Sequence, residues 1–93
     1  MNMHTVPGEL TIYTAAQEKL NLQTFLETDD ELELVLSQVN EMDSAGLQIL
    51  IALKMDAARR NKQIRFVMHS KAVIDVMEMA NVTAMFGDQI ILT

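Results

Sequence analysis

The sequence predicts an α/β fold: one small domain over residues 1–93, with a mixed, mostly parallel sheet of four to five strands and helices packed on it. Three observations predict it. Short apolar runs of strand length, such as Leu34-Val-Leu36 and Ile64-Arg-Phe-Val-Met68, alternate with stretches of helical spacing. The segments between successive strands are long enough for parallel crossovers. A hydrophobic content of 49% in 93 residues supplies one core and no second one.

Along the chain, Met1 to Pro7 has neither a basic n-region nor an apolar run and is not expected to be a signal peptide. Pro7-Gly8 marks a turn, and Leu10-Thr-Ile-Tyr13 alternates like a half-buried strand. From Thr14, a candidate N-cap with Gln17 at capping-box spacing, a helix is predicted to Leu26. Ala16, Leu20, Leu22, Phe25 and Leu26 form its apolar stripe. Thr28-Asp-Asp30 ends it, and Leu32–Leu36 reads as an interior strand covered on both faces. Ser37 to Asp43 is predicted as a loop, and Ala45 to about Asn61 as a long helix. Ile64–Met68 is the next strand. Ser70 is predicted to cap a helix over Lys71–Ala80 whose Val73, Val76, Met77 and Ala80 face the core. Asn81 to Asp88 turns, and Ile90-Ile-Leu92 is a final short strand.

The net charge of −6 argues against a nucleic-acid ligand, which needs cations to displace counterions. Residues 1–43 hold nine acids against Lys19 alone, whereas Lys54, Arg59, Arg60 and Lys62 fall within one short span. That span reads either as a helix end suited to the dipole or as one edge of a docking surface for an acidic partner. No cysteine is present, so disulfides and thiolate metal sites are excluded. No run of about 18 apolar residues is there to span a membrane, so a cytoplasmic protein with no membrane insertion is expected.

Catalytic inventories fail. His4, placed in a tail, and His69, at a strand end, are the only histidines, and no G-x-S-x-G elbow accompanies Ser44. Gly8, Gly46 and Gly87 are too far apart for a phosphate-cradling loop. Neither enzyme activity, metal, cofactor nor small-molecule substrate is expected.

The informative stretch is Met42-Asp-Ser-Ala-Gly-Leu47. Ser44 stands at the loop–helix junction, where a hydroxyl can cap the helix. A phosphate there would also meet the free N–H groups of the first turn and add about −1.5 to −2 charge beside Glu41 and Asp43. The residues leave both roles open. Gly46 costs a helix up to about 1 kcal/mol relative to alanine, a sign of close approach by a neighbouring strand or by a partner's backbone. The helix behind it is apolar on nearly every bearing through Leu47, Ile49, Leu50, Ile51, Ala52, Leu53 and Met55. That is more than one buried stripe requires.

These residues resemble a known family. Leu34-Val-Leu-Ser-Gln-Val39, Met42-Asp-Ser-Ala-Gly-Leu47 and the helix ending near Arg60 are similar to the STAS domain of anti-sigma-factor antagonists and sulfate transporter tails. The resemblance runs from Gly8 through Ser70-Lys-Ala-Val and Met85-Phe-Gly-Asp88 to Ile91. It implies that Ser44 is phosphorylated by a partner serine kinase that is also an anti-sigma factor. It further implies that Asp43, Ser44, Ala45, Gly46, Leu47, Gln48, Ile51 and Lys54 form the partner-binding face, and that phosphorylation ends binding. The N-terminal strand region is shorter than in sporulation-type antagonists, and Ala45 replaces a second serine common there. The short D-S-A-G-L-Q form also resembles stand-alone STAS proteins of chemotaxis or signalling arrays, and the small cytoplasmic STAS subunit of lipid-transport ABC systems, where a threonine often takes the serine position. They imply a constitutive subunit as the alternative.

Overall fold

The structure, a computed structural model, describes residues 1–80. Five strands and three helices follow in the order β1 (Asn2–Thr5), β2 (Gly8–Leu10), α1 (Ala15–Leu26), β3 (Glu31–Val35), β4 (Val39–Met42), α2 (Ser44–Arg59), β5 (Gln63–Val67) and α3 (Lys71–Met79). The turn and strand expected after Asn81 lie outside the described residues.

Among the described residues every strand pair is parallel, and the strands form two sheets. β3 lies between β1 and β5 in a three-stranded sheet, while β2 and β4 form a separate pair. The same two stretches of chain therefore pair twice, first as β1 with β3 and then as β2 with β4. The break falls at Pro7-Gly8, where proline has no N–H to donate and Gly8 adopts φ +54°. Val6 N–H still reaches Val35 O at 3.1 Å and Leu36 N–H reaches Val67 O at 3.0 Å, so the larger sheet runs to the edge of the bend.

Four local expectations are corrected. The N-terminal segment, read as a tail ending in a turn, contains β1, and His4 lies in that strand. β4 occupies most of the segment read as a loop. Thr11 to Tyr13 leave the sheet and turn, so Ile12 and Tyr13 stand exposed instead of alternating into a strand. Thr14 holds the N-cap position of α1 without capping it. Its hydroxyl donates to Glu9 O at 2.9 Å and accepts from Thr11 N–H at 3.1 Å, which closes the turn instead.

The helices cover the sheets with the faces that the apolar spacing marks. α1 packs on α2, α2 on β4 and β5, and α3 on β4. Leu22, Phe25 and Leu26 of α1 join Leu32, Leu34, Leu36, Leu50, Leu53, Phe66, Val73 and Met77 in one core. Burial of each such side chain contributes about 1.5–3 kcal/mol. Leu20 and Ala16 turn outward, against the predicted stripe of α1, and so does Ala80, against the predicted core face of α3. Ser70 caps α3 as expected, accepting from Val73 N–H. β1 is held to α1 by His4, whose Nε2 lies 3.1 Å from the buried Glu18 carboxylate and whose ring packs at 5.4 Å on Phe25.

Candidate functional site

The chain enters α2 through Asp43, and this residue organises the site. Its backbone is extended, and its Oδ1 accepts from Gly46 N–H at 3.1 Å, so the N-cap is Asp43 and not Ser44. Its Oδ2 accepts from Ile12 N–H at 3.0 Å, and its own N–H reaches Leu10 O at 3.4 Å. One carboxylate thus clamps the β2–α1 turn to the start of α2. The Ile12 N–H first, and the Gly46 N–H second, hold Asp43 below the ordinary aspartate value of 3.8.

Gly46 is buried, and the close approach its sequence position signals is made by the chain's own strand. A methyl group at position 46 would fall on the Leu10 carbonyl, 2.9 Å from its carbon and 3.0 Å from Leu10 Cγ. Only glycine lets the first turn of α2 sit this close to the end of β2.

With the cap supplied by Asp43, Ser44 becomes the first residue of α2 and is exposed. This changes the fate of a phosphate at that position. The Asp43 carboxylate already accepts from Gly46 N–H, so a phosphate on the exposed Ser44 would add its charge beside an acid that holds the cap. The turn fastened to Asp43 adds two side chains to this surface, Ile12 and Tyr13, which are 68% and 90% exposed. Sequence reasoning missed both, because their alternation with Thr11 mimics a strand. Beside them lies a shallow cleft between the turn, β4 and α3, lined by Tyr13, Glu41, Asp43 and Asp75 among others. The surroundings of Ser44 are therefore apolar on one side and acidic on the other.

The structure divides the other predicted binding residues into two groups. Gln48 is exposed and Ile51 half-buried, on the helical stripe that begins at Ser44 and continues to the exposed Met55. Asp43 and Ala45 are half-buried at its edge. Gly46 and Leu47 belong to the core, so their placement on a docking face is corrected: they support that face from beneath. Lys54 is turned inward. Its Nζ donates to Ile64 O at 2.6 Å and lies 5.0 Å from the Phe66 ring centre. Lys62 is likewise engaged, donating to Leu26 O and Asp29 O. Of the four clustered cations, Arg59 and Arg60 are left on the surface.

Among the described residues, no helix is long and apolar enough to cross a membrane. A family model described as "Mlab, STAS domain" matches residues 5–92. Among solved structures, the chain is similar to the STAS domain of a SulP transporter from Vibrio cholerae, with a TM-score of 0.70 and 17% identity. That match covers 98% of this chain and 73% of the other. At this identity the likeness is one of fold.

Proposed function

Because the chain belongs to the STAS domain family, we propose that it is a protein-interaction module of the anti-sigma-factor antagonist type. In this reading the unphosphorylated protein binds a partner serine kinase that doubles as an anti-sigma factor. Phosphorylation of Ser44 releases it. The observation that carries the reading is the division of labour at the start of α2. Asp43 caps the helix, which leaves the Ser44 hydroxyl exposed and dispensable to the fold.

The switch would act through the neighbours of Ser44. A partner that covers Ile12, Tyr13, Gln48 and Met55 also covers the hydroxyl. A phosphate there must be desolvated against apolar side chains and beside Asp43, which opposes docking by both burial cost and like charge. The module itself contributes a surface and no catalytic group.

The test is a quantitative pull-down from the protein's own cells with wild type, Ser44→Ala and Ser44→Asp, together with intact-mass analysis of the purified protein. The reading requires a phosphorylated fraction under some growth condition, and a kinase partner retained by wild type and Ser44→Ala but lost with Ser44→Asp. Identical partners in all three, with no phosphorylated fraction, would overturn it.

A second reading is favoured by the comparisons. A family model described as "Mlab, STAS domain" and a STAS fold belonging to a transporter support a constitutive subunit of a membrane transport system, such as a lipid-transport ABC complex. The same surface would then dock permanently. Recovery of a transporter ATPase with all three forms alike would select this reading over the first.

A further inference from the structure

We infer that the groove between α1 and α2 is a second docking site, one that takes an acidic amphipathic helix of a partner protein. It rests on the packing of the two helices, needs no modification of Ser44, and borders the Ser44 surface at Ala45 and Gln48.

The groove has an apolar floor and a charged rim. Leu22 and Leu53 form the base, Ile49 and Ala52 one wall, and Lys19 and Asp56 the rim, around a hollow of about 330 Å³. That is the low end of the size at which proteins enclose small ligands, and enough to seat an apolar anchor side chain. The surface continues beyond the hollow along both helices. Ala16 and Leu20 lie on α1 at helical spacing with Lys19 and Gln23, and Leu20 is 59% exposed. Ala45 and Gln48 extend the α2 wall towards its N-terminus. Two rows of exposed and half-buried residues, each over about two turns, fit a third helix laid between them, with anchors at i, i+3 or i+4, and i+7. A small amphiphile would use the hollow and leave those rows idle.

The charges select the partner's sign. Asp56 is ion-paired with Arg59, so its carboxylate is already answered. Lys19 and Arg60, both exposed, act on the same carboxylate through space, so three cations surround one acid. The rim is thus locally cationic on a chain of net charge −6. A helix flanking its anchors with glutamates meets this rim, whereas one flanked by lysines is repelled.

The probe is a synthetic helical peptide with a leucine and phenylalanine stripe flanked by glutamates, compared with a lysine-flanked peptide of equal hydrophobicity. Both are titrated into the full chain and followed by amide chemical shifts. The glutamate peptide is expected to move the resonances of residues 19, 22, 23, 49, 52, 53 and 56. It should bind roughly five- to tenfold more tightly than the lysine peptide at low salt, as a few exposed charge contacts allow. Lys19→Glu with Arg60→Glu should invert that preference, and Ala52→Trp, at an exposed position, should fill the groove and abolish binding. Ser44→Asp, next to Ala45 at the far end of the groove, should leave the set of shifted residues the same and weaken the glutamate peptide no more than about twofold, so failure of the phosphorylation reading and failure of this one are separable. Shifts elsewhere, equal affinity for the two peptides, or undiminished binding by a folded Ala52→Trp protein would overturn the proposal. So would dodecanoate producing these shifts where neither peptide does.

Discussion

Replacing Gly46 with alanine sets two effects of opposite sign against each other. Helix propensity alone favours the substitution by about 0.8–1 kcal/mol. The structure opposes it. The added methyl would lie 2.9 Å from the Leu10 carbonyl carbon and 3.0 Å from its Cγ, where ordinary contact begins near 3.4 Å. Leu10 is fully buried, so the strand cannot swing aside, and the shift must be taken by the start of α2. That movement overpacks the site, at about 1–3 kcal/mol, and loosens the Asp43 cap, at about 0.5–2 kcal/mol. After the propensity gain, a net loss of about 2 kcal/mol remains. For a domain of this size that lowers the melting temperature by roughly 10–15 °C. The assay is thermal unfolding followed by far-UV circular dichroism, with Ala52→Gly at an exposed mid-helix position as the control. That control should lose about 1 kcal/mol from propensity alone. A Gly46→Ala protein that melts at or above the wild-type temperature would show that the first turn of α2 does not press on β2.

Ser44→Ala and Ser44→Asp should each change stability by no more than about 0.5 kcal/mol, because the cap lies on Asp43; chemical denaturation of the three proteins checks this. Asp43 is held below 3.8 when folded, so its contribution is fully present above that value and is lost as pH falls through the lower folded value. Asp43→Asn should therefore be less stable at neutral pH and show a shallower loss below about pH 4, read from melting curves across the acid range. Lys54→Ala should destabilise the fold by about 1–2 kcal/mol in denaturant titrations, through loss of its bond to Ile64 O and its packing on Phe66, and should leave partner binding intact.

How much of this was legible in the sequence depends on where side chains, rather than backbone, decide the structure. β3, β5, α2 and α3 announce themselves because their apolar residues must be buried, and Ser70 declares its cap by type and place. β1 reads Asn-Met-His-Thr and is largely exposed. Its pairing with β3 is a matter of backbone bonds, to which composition is blind. β4 buries only Val39 fully, so a four-residue strand passes for a loop. At the site, Asp43 and Ser44 are both good caps, and type alone does not rank them. What ranks them is Ile12 N–H, which is 31 residues away in the chain and beside Asp43 in space. The same distance in sequence hid Ile12 and Tyr13 from the surface they help to form.

The Asp43 clamp has a consequence for how a signal at this surface is transmitted. The turn, the strand end and the helix start are tied through one carboxylate, so the geometry presented to a partner is already set in the free protein. Association then requires little ordering of the module, and the loss of conformational freedom has been met during folding. A modification on its surface is read as a change in charge and solvation at a fixed position. Its effect should appear chiefly in how fast the complex falls apart, with the fold on either side of the event unchanged.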